Sequence, residues 1–200
     1  MKVWNTVKLG LVLMAYSVVA CVGLAFVYGK TIADIEKQEA ANIDAAIHEL
    51  FSDADGFEDI TGAIASPDPG VRFENQFSVT QNGRLIGVVV QASGGSYGGP
   101  IKVLVGVSTG GTISRIKIIS HSDTPGLGAN AGKENYFVNK KAGITFYDQF
   151  ADKAVTDSFE PKRDVDAITA ATVTSKAVSG IVRTAGRAAA DWLAAEGAAQ

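Results

Sequence analysis

The hydrophobic and polar positions divide the chain into stretches of different period. Leu9 to Tyr28 (LGLVLMAYSVVACVGLAFVY) carries no charge. As a helix rising ~1.5 Å per residue, it is long enough to cross the ~30 Å hydrocarbon layer of a bilayer. From Thr31 to Phe51 the apolar positions Ile32, Ile35, Ile43, Ile47, Leu50 and Phe51 recur at helical spacings, with Glu36, Lys37 and Glu39 on the other face. This pattern predicts a stalk helix whose second half docks on a folded domain. Ser52 to Gly70 is rich in turn residues and reads as loop. Its Asp53-Ala54-Asp55-Gly56 resembles the start of a calcium loop, but the closing acidic ligand is out of register, so it reads as a solvated turn.

Alternation then takes over. Gln76–Thr80 and Arg84–Ala92 flank Asn82-Gly83, a strong hairpin signal. Ile101–Val107 alternates, and Gly110-Gly111 turns it into Thr112–Ser120. There Ile113, Ile116 and Ile118 share the strand with Arg115 and Lys117, giving one buried and one wet face. Residues 133–142 and 144–150 read as helical, with Tyr136, Phe137, Phe146, Tyr147 and Phe150 packing. From Val173 to about Ala195, Val178, Ile181, Val182, Ala185, Ala189, Trp192 and Leu193 form one stripe that has to cover a sheet. The predicted class is α+β: a bent antiparallel sheet of four strands in meander order, with helices on one side, preceded by one N-terminal transmembrane helix. The expected division is residues 1–30 anchor, 31–70 stalk helix and loop, and 71–200 domain.

Charge orients this picture. Lys2 and Lys8 precede the apolar span and a long domain follows it, which favours N-terminus in and domain out. The bulky end Phe26-Val27-Tyr28 favours a retained anchor over a cleaved signal peptide. Val18-Val19-Ala20-Cys21 offers lipidation as an alternative, against which stand the apolar residues that follow Cys21. Cys21 is the only cysteine, so there is no disulfide framework and no cysteine metal site. A domain without thiols suits work outside the cytosol. Beyond residue 30 the chain holds 15 basic against 21 acidic residues, a net of −6, which argues against a nucleic-acid partner.

Three stretches carry candidate chemistry. Asp166 to Ser175 (DAITAATVTS) places a carboxylate, small residues and hydroxyls just before the last helix. Thr169, Thr172, Thr174 and Ser175 either cap that helix or, with its free N–H groups and dipole, hold an anion such as phosphate. Ala170 and Ala171 leave room for a bulky group, and Val173 belongs to the same candidate stretch. Ser93 to Pro100 (SGGSYGGP) is either a flexible hairpin loop or a surface where Tyr97 and the bare backbone at Gly98 meet a flat ring. His121 to Asn130 (HSDTPGLGAN) contains Thr124, Pro125, Gly126, Leu127 and Gly128, either a tight turn with a core leucine or an apolar finger against a ring edge. His48 and His121 lack metal-ligand company and read as surface or packing residues. No catalytic triad and no acid pair follow from the spacing.

SYGGPIKVLVGV, GGTISRIKIISHSDTPGLGA and DAITAATVTS together resemble the three blocks of the FMN-binding domain in the G subunit of the Rnf electron-transport complex, shared by the C subunit of the sodium-pumping NADH:quinone reductase. The resemblance covers roughly residues 76–195. It implies that a flavin transferase, using FAD and magnesium, attaches FMN through a phosphodiester to Thr172, with Asp166 and Thr169 at the motif's acidic and first hydroxyl positions. The ring is then expected near Tyr97 and Leu127, its phosphate at the start of the last helix. The family usually has Gly at position 170 and Glu at position 123, where this chain has Ala170 and Asp123. The resemblance further implies other membrane subunits of an Rnf-type complex as partners. It also implies a place in a bacterial or archaeal cytoplasmic membrane with the domain outside, and electron relay in a ferredoxin:NAD oxidoreductase-like complex. Two further readings of the same residues are a non-catalytic anchored binding module and a stand-alone extracytoplasmic flavin carrier.

Overall fold

The structure, a computed structural model, describes residues 2–197. Side chains at 2–3, 5–6, 33–42 and 44 lie outside the described residues, and with them Ile35, Glu36, Lys37 and Glu39 of the expected stalk. The chain divides into two compact units at Ala45/Ala46. The first unit belongs to helix α1 (Lys2–Leu50). Within it Val7–Ile32 has a mean hydropathy of 2.3 and is long and apolar enough to cross a membrane. Its large apolar side chains, Leu11, Val19 and Phe26 among them, are exposed. An apolar surface on all sides is what a lipid-facing helix presents.

The second unit contains a five-stranded antiparallel meander: β1 (Gly56–Asp59), β2 (Val71–Gln81), β3 (Arg84–Gly95), β4 (Pro100–Ser108) and β5 (Ile113–His121), hydrogen-bonded in that order. The β2–β3 turn has Asn82 at φ 50° and Gly83 at φ 73°, the two positive values that a two-residue hairpin turn needs to match strand twist. Helix α2 (Thr172–Gly197) buries Val178, Ile181, Val182, Ala185 and Ala189 in one core with Val88, Val90, Ile101, Val103, Val105 and Ile113 of the sheet.

The opposite face is covered as well, which corrects the expectation of helices on one side. By strand alternation Val79, Val89 and Leu104 point away from α2, yet all three are fully buried. The end of α1 supplies the cover: Ala46, Ile47, Leu50 and Phe51 are buried there. Phe51 lies directly on bare backbone. A Cβ at Gly87 would come within 2.5 Å of its ring, and one at Gly106 within 3.0 Å. The Ser114 hydroxyl donates to the Leu50 carbonyl at 2.6 Å, and Lys117 pairs with Glu49.

Two further segments differ from expectation. Residues 133–150 are not helical. They form a small hairpin of β6 (Phe137–Asn139) and β7 (Ile144–Thr145), then a 3-10 turn at Asp148–Phe150. Gly143 at φ 68° turns the hairpin, and Phe146 packs edge-on against Phe150, which stacks on Phe159. Phe146 and Phe150 are buried and Tyr136 and Tyr147 pack against the core as expected, selected by tertiary contacts rather than helical period, whereas Phe137, also expected to pack, is 40% exposed. The expected loop 52–70 contains the edge strand β1, where Phe57 meets Phe77 and His48 edge-on. Gln76, buried in β2, ties down the rest of that loop by accepting from the Ile64 amide and donating to its carbonyl.

Candidate functional site

The three stretches singled out in the sequence converge at one end of the sheet. A cavity of about 380 Å³ is lined by Tyr97, Asp123, Thr124, Leu127, Gly128, Ala170, Ala171, Thr172, Val173 and Thr174. The β3–β4 connection brings Tyr97. The turn after β5 brings Asp123 to Gly128. The start of α2 brings the rest.

At α2 the first helical bond runs from the Ser175 amide to the Ala171 carbonyl at 3.0 Å. Ala171 is therefore the N-cap residue, and it has no side-chain acceptor with which to cap. Helix geometry leaves the amides of Thr172, Val173 and Thr174 without a carbonyl one turn back. Their partial positive charge and the helix dipole meet at this wall of the cavity. Thr172 is exposed, whereas Thr174 and Ser175 are buried. The Ser175 hydroxyl is engaged within the chain, accepting from the Ile168 amide and donating to the Ala171 carbonyl, each at 3.0 Å. The chain enters the helix through Ala170 at φ 60°, a left-handed conformation that an L-residue adopts only against strain.

The turn after β5 is held by the Thr124 carbonyl, which accepts from the amides of Leu127 and Ala129 at 3.1 and 3.3 Å. Asn130, buried beneath, donates to the Gly126 carbonyl at 2.8 Å. Gly126 has φ 82°. Gly128 has no room for a side chain: a Cβ there would lie 2.4 Å from the Thr174 hydroxyl and 2.8 Å from Asp123. This close approach presses the turn onto the first turn of α2 and leaves Leu127 40% exposed at the rim. Tyr97 is 74% exposed, between Ser96 and Gly98.

Asp123 is the residue that sequence reasoning did not place in the site. It is buried, and it accepts from the Ser96 hydroxyl at 2.6 Å and the Gly98 amide at 2.6 Å. Burial pushes its carboxyl up. Hydrogen bonds from the Ser96 hydroxyl, the Gly98 amide and the Thr174 hydroxyl, with the His121 charge, outweigh that and hold it below the usual carboxylate range.

The other sequence candidates stand outside the cavity lining. Gly98 packs its backbone on Ser122, where a Cβ would meet the carbonyl oxygen at 2.2 Å. Pro125 and Gly126 are exposed on the far part of the turn. Thr169 is exposed one residue before Ala170. Asp166 has its backbone amide and carbonyl both held by the Gln149 side chain, at 2.6 and 3.0 Å, and it lines a separate cavity with Lys153, Lys162 and Arg163.

These residues suit a phosphate-bearing flat ring. An exposed hydroxyl and unpaired helix amides lie at one wall, and Tyr97, Leu127 and Val173 offer exposed apolar surface around it. Residues 96–186 match the family described as FMN-binding domain, a span that contains every residue lining the cavity. The chain is 33% identical over 193 residues to the G subunit of the Na⁺-translocating ferredoxin:NAD⁺ oxidoreductase complex of Acetobacterium woodii, with 88% of each chain covered. It is 34% identical over 139 residues to the G subunit of the proton-translocating ferredoxin:NAD⁺ oxidoreductase complex of Clostridium ljungdahlii, covering 68% of this chain and 65% of that one. To the G subunit of an ion-translocating oxidoreductase complex of Methanosarcina acetivorans it is 31% identical over 174 residues, covering 86% and 87%. The cavity lies wholly within the matched span, and the chain belongs to the Rnf-type family of G subunits of ion-translocating oxidoreductase complexes, with an FMN-binding domain at 96–186.

Proposed function

We propose that this protein is a membrane-anchored electron carrier whose FMN is bound covalently through its phosphate to Thr172. The observation that carries the reading is Thr172 itself, an exposed hydroxyl in the first turn of α2 on the wall of the cavity that Tyr97 and Leu127 line. Attachment forms a bond from the Thr172 Oγ1 to the flavin phosphate and breaks the pyrophosphate of FAD, with AMP leaving and the hydroxyl proton passing to solvent. A flavin transferase is the partner for that step.

FMN, when bound, supplies reversible one-electron chemistry. The chain's own residues do the rest. The amides of Thr172, Val173 and Thr174 offset the phosphate charge. Tyr97 and Leu127 offer faces for the ring and leave its edge to a partner. Thr169 and Asp166 present the attachment motif to the transferase from the exposed stretch of chain leading into α2. The electron partners are other subunits of an Rnf-type, ferredoxin:NAD oxidoreductase-like complex. The apolar helix anchors the protein in the cytoplasmic membrane with residues 71–200 as the outer, FMN-bearing domain and 31–70 as stalk helix and loop, the loop adding β1 to the domain's sheet.

Intact-mass measurement on protein made together with the transferase tests this. The expected result is one added FMN less one water, and its complete loss in Thr172→Ala. An unmodified wild-type mass, or an increment that survives in Thr172→Ala, overturns the assignment.

A further inference from the structure

We propose that Asp123 is a positioning residue, whose carboxylate sets the spacing between Tyr97, Leu127 and Thr172 and thereby the seat of a flat ring in this cavity. The inference rests on the flavin reading of the site for one of its two readouts only. The geometry is unusual in what it joins. Asp123 accepts from the Ser96 hydroxyl and the Gly98 amide, the residues on either side of Tyr97. Tyr97 is thus flanked by a side chain and a backbone amide that the same carboxylate holds, while its ring stays 74% exposed. Asp123 also sits beside the Thr174 hydroxyl, two residues beyond Thr172 in the first turn of α2, since a Cβ at Gly128 would meet that hydroxyl at 2.4 Å and Asp123 at 2.8 Å. Its Cβ and Cγ also fill the space that a side chain at Gly128 would need, next to Leu127.

One buried group thus lies against a near neighbour of Tyr97, of Leu127 and of Thr172, three of the residues that line the cavity. A carboxylate placed only for fold stability has no need of this arrangement, because these bonds link connections rather than strands of the sheet.

The test uses the full-length protein in detergent. First, exchange of the Gly98 amide is followed in flavin-free wild type, Asp123→Asn, Asp123→Glu and Ser96→Ala. A hydrogen bond to a carboxylate protects that amide, so exchange in Asp123→Asn is expected to be about tenfold faster, less so in Ser96→Ala, with Asp123→Glu restoring protection. Second, flavin emission is compared on the flavin-bearing fraction of each variant. Release of Tyr97 from the ring is expected to raise emission several-fold in Asp123→Asn and to leave Asp123→Glu near wild type. Equal Gly98 exchange in wild type and Asp123→Asn overturns the proposal, as does faster exchange with unchanged emission. If wild type gains no FMN mass, the covalent reading fails while the exchange comparison still decides the role of Asp123. Should Asp123→Asn not fold, Ser96→Ala, which removes one donor and no charge, carries the same comparison.

Discussion

Single residues decide the shape of this site. Ala170 holds the left-handed turn before α2 with a side chain that disfavours it. Left-handed backbone costs an L-residue roughly 1–2 kcal/mol, and the added freedom of glycine in the unfolded chain offsets about half of that. Ala170→Gly is therefore expected to raise the melting temperature of the full-length protein by about 2 °C. An unchanged or lower melting point would show that the strain is relieved elsewhere. Asp123 illustrates what the sequence did not disclose. The motif residues around it are contiguous and could be read as a block, but its partners Ser96 and Gly98 lie 27 and 25 positions away. No local pattern announces a bond across that separation. Thr172 was legible for the opposite reason, since the start of a helix and its hydroxyls are encoded side by side.

At the scale of elements, alternation and turn chemistry made β2 to β5 legible, and a sustained apolar stripe did the same for α2. Period failed where elements are short. β1 is four residues with one large apolar side chain, and β6 and β7 together span five. The covered outer face of the sheet shows how strongly an element can depend on one contact. Phe51, 8% exposed, lies on Gly87 and Gly106, where no other residue leaves space for a ring. Removing a buried phenylalanine typically costs about 3–5 kcal/mol. Phe51→Ala is expected to lower the thermal stability of the second unit by an amount of that order, read by loss of the near-ultraviolet signal on heating. A loss below about 1 kcal/mol would mean that the glycine-floored groove closes over the gap.

For the whole molecule, the apolar span Val7–Ile32 and the lysines at 2 and 8 underlie the proposed topology. The outward domain is checked by adding protease to intact spheroplasts. Digestion of the domain is expected without lysis, and protection until lysis would reverse the orientation. The composition of the site bears on biogenesis as well. Its walls come from residues near 97, near 125 and near 172, and no two of them touch until β3, β4 and β5 have paired and α2 has closed over them. Contacts so distant along the chain form only after the entropy of closing the intervening loops has been overcome. A nascent or collapsed chain displays the attachment sequence without the chamber. Loading through the exposed motif needs no finished chamber, so the yellow colour of a preparation counts attachment alone, whereas a ring seated against Tyr97 and Leu127 counts the molecules whose sheet is complete.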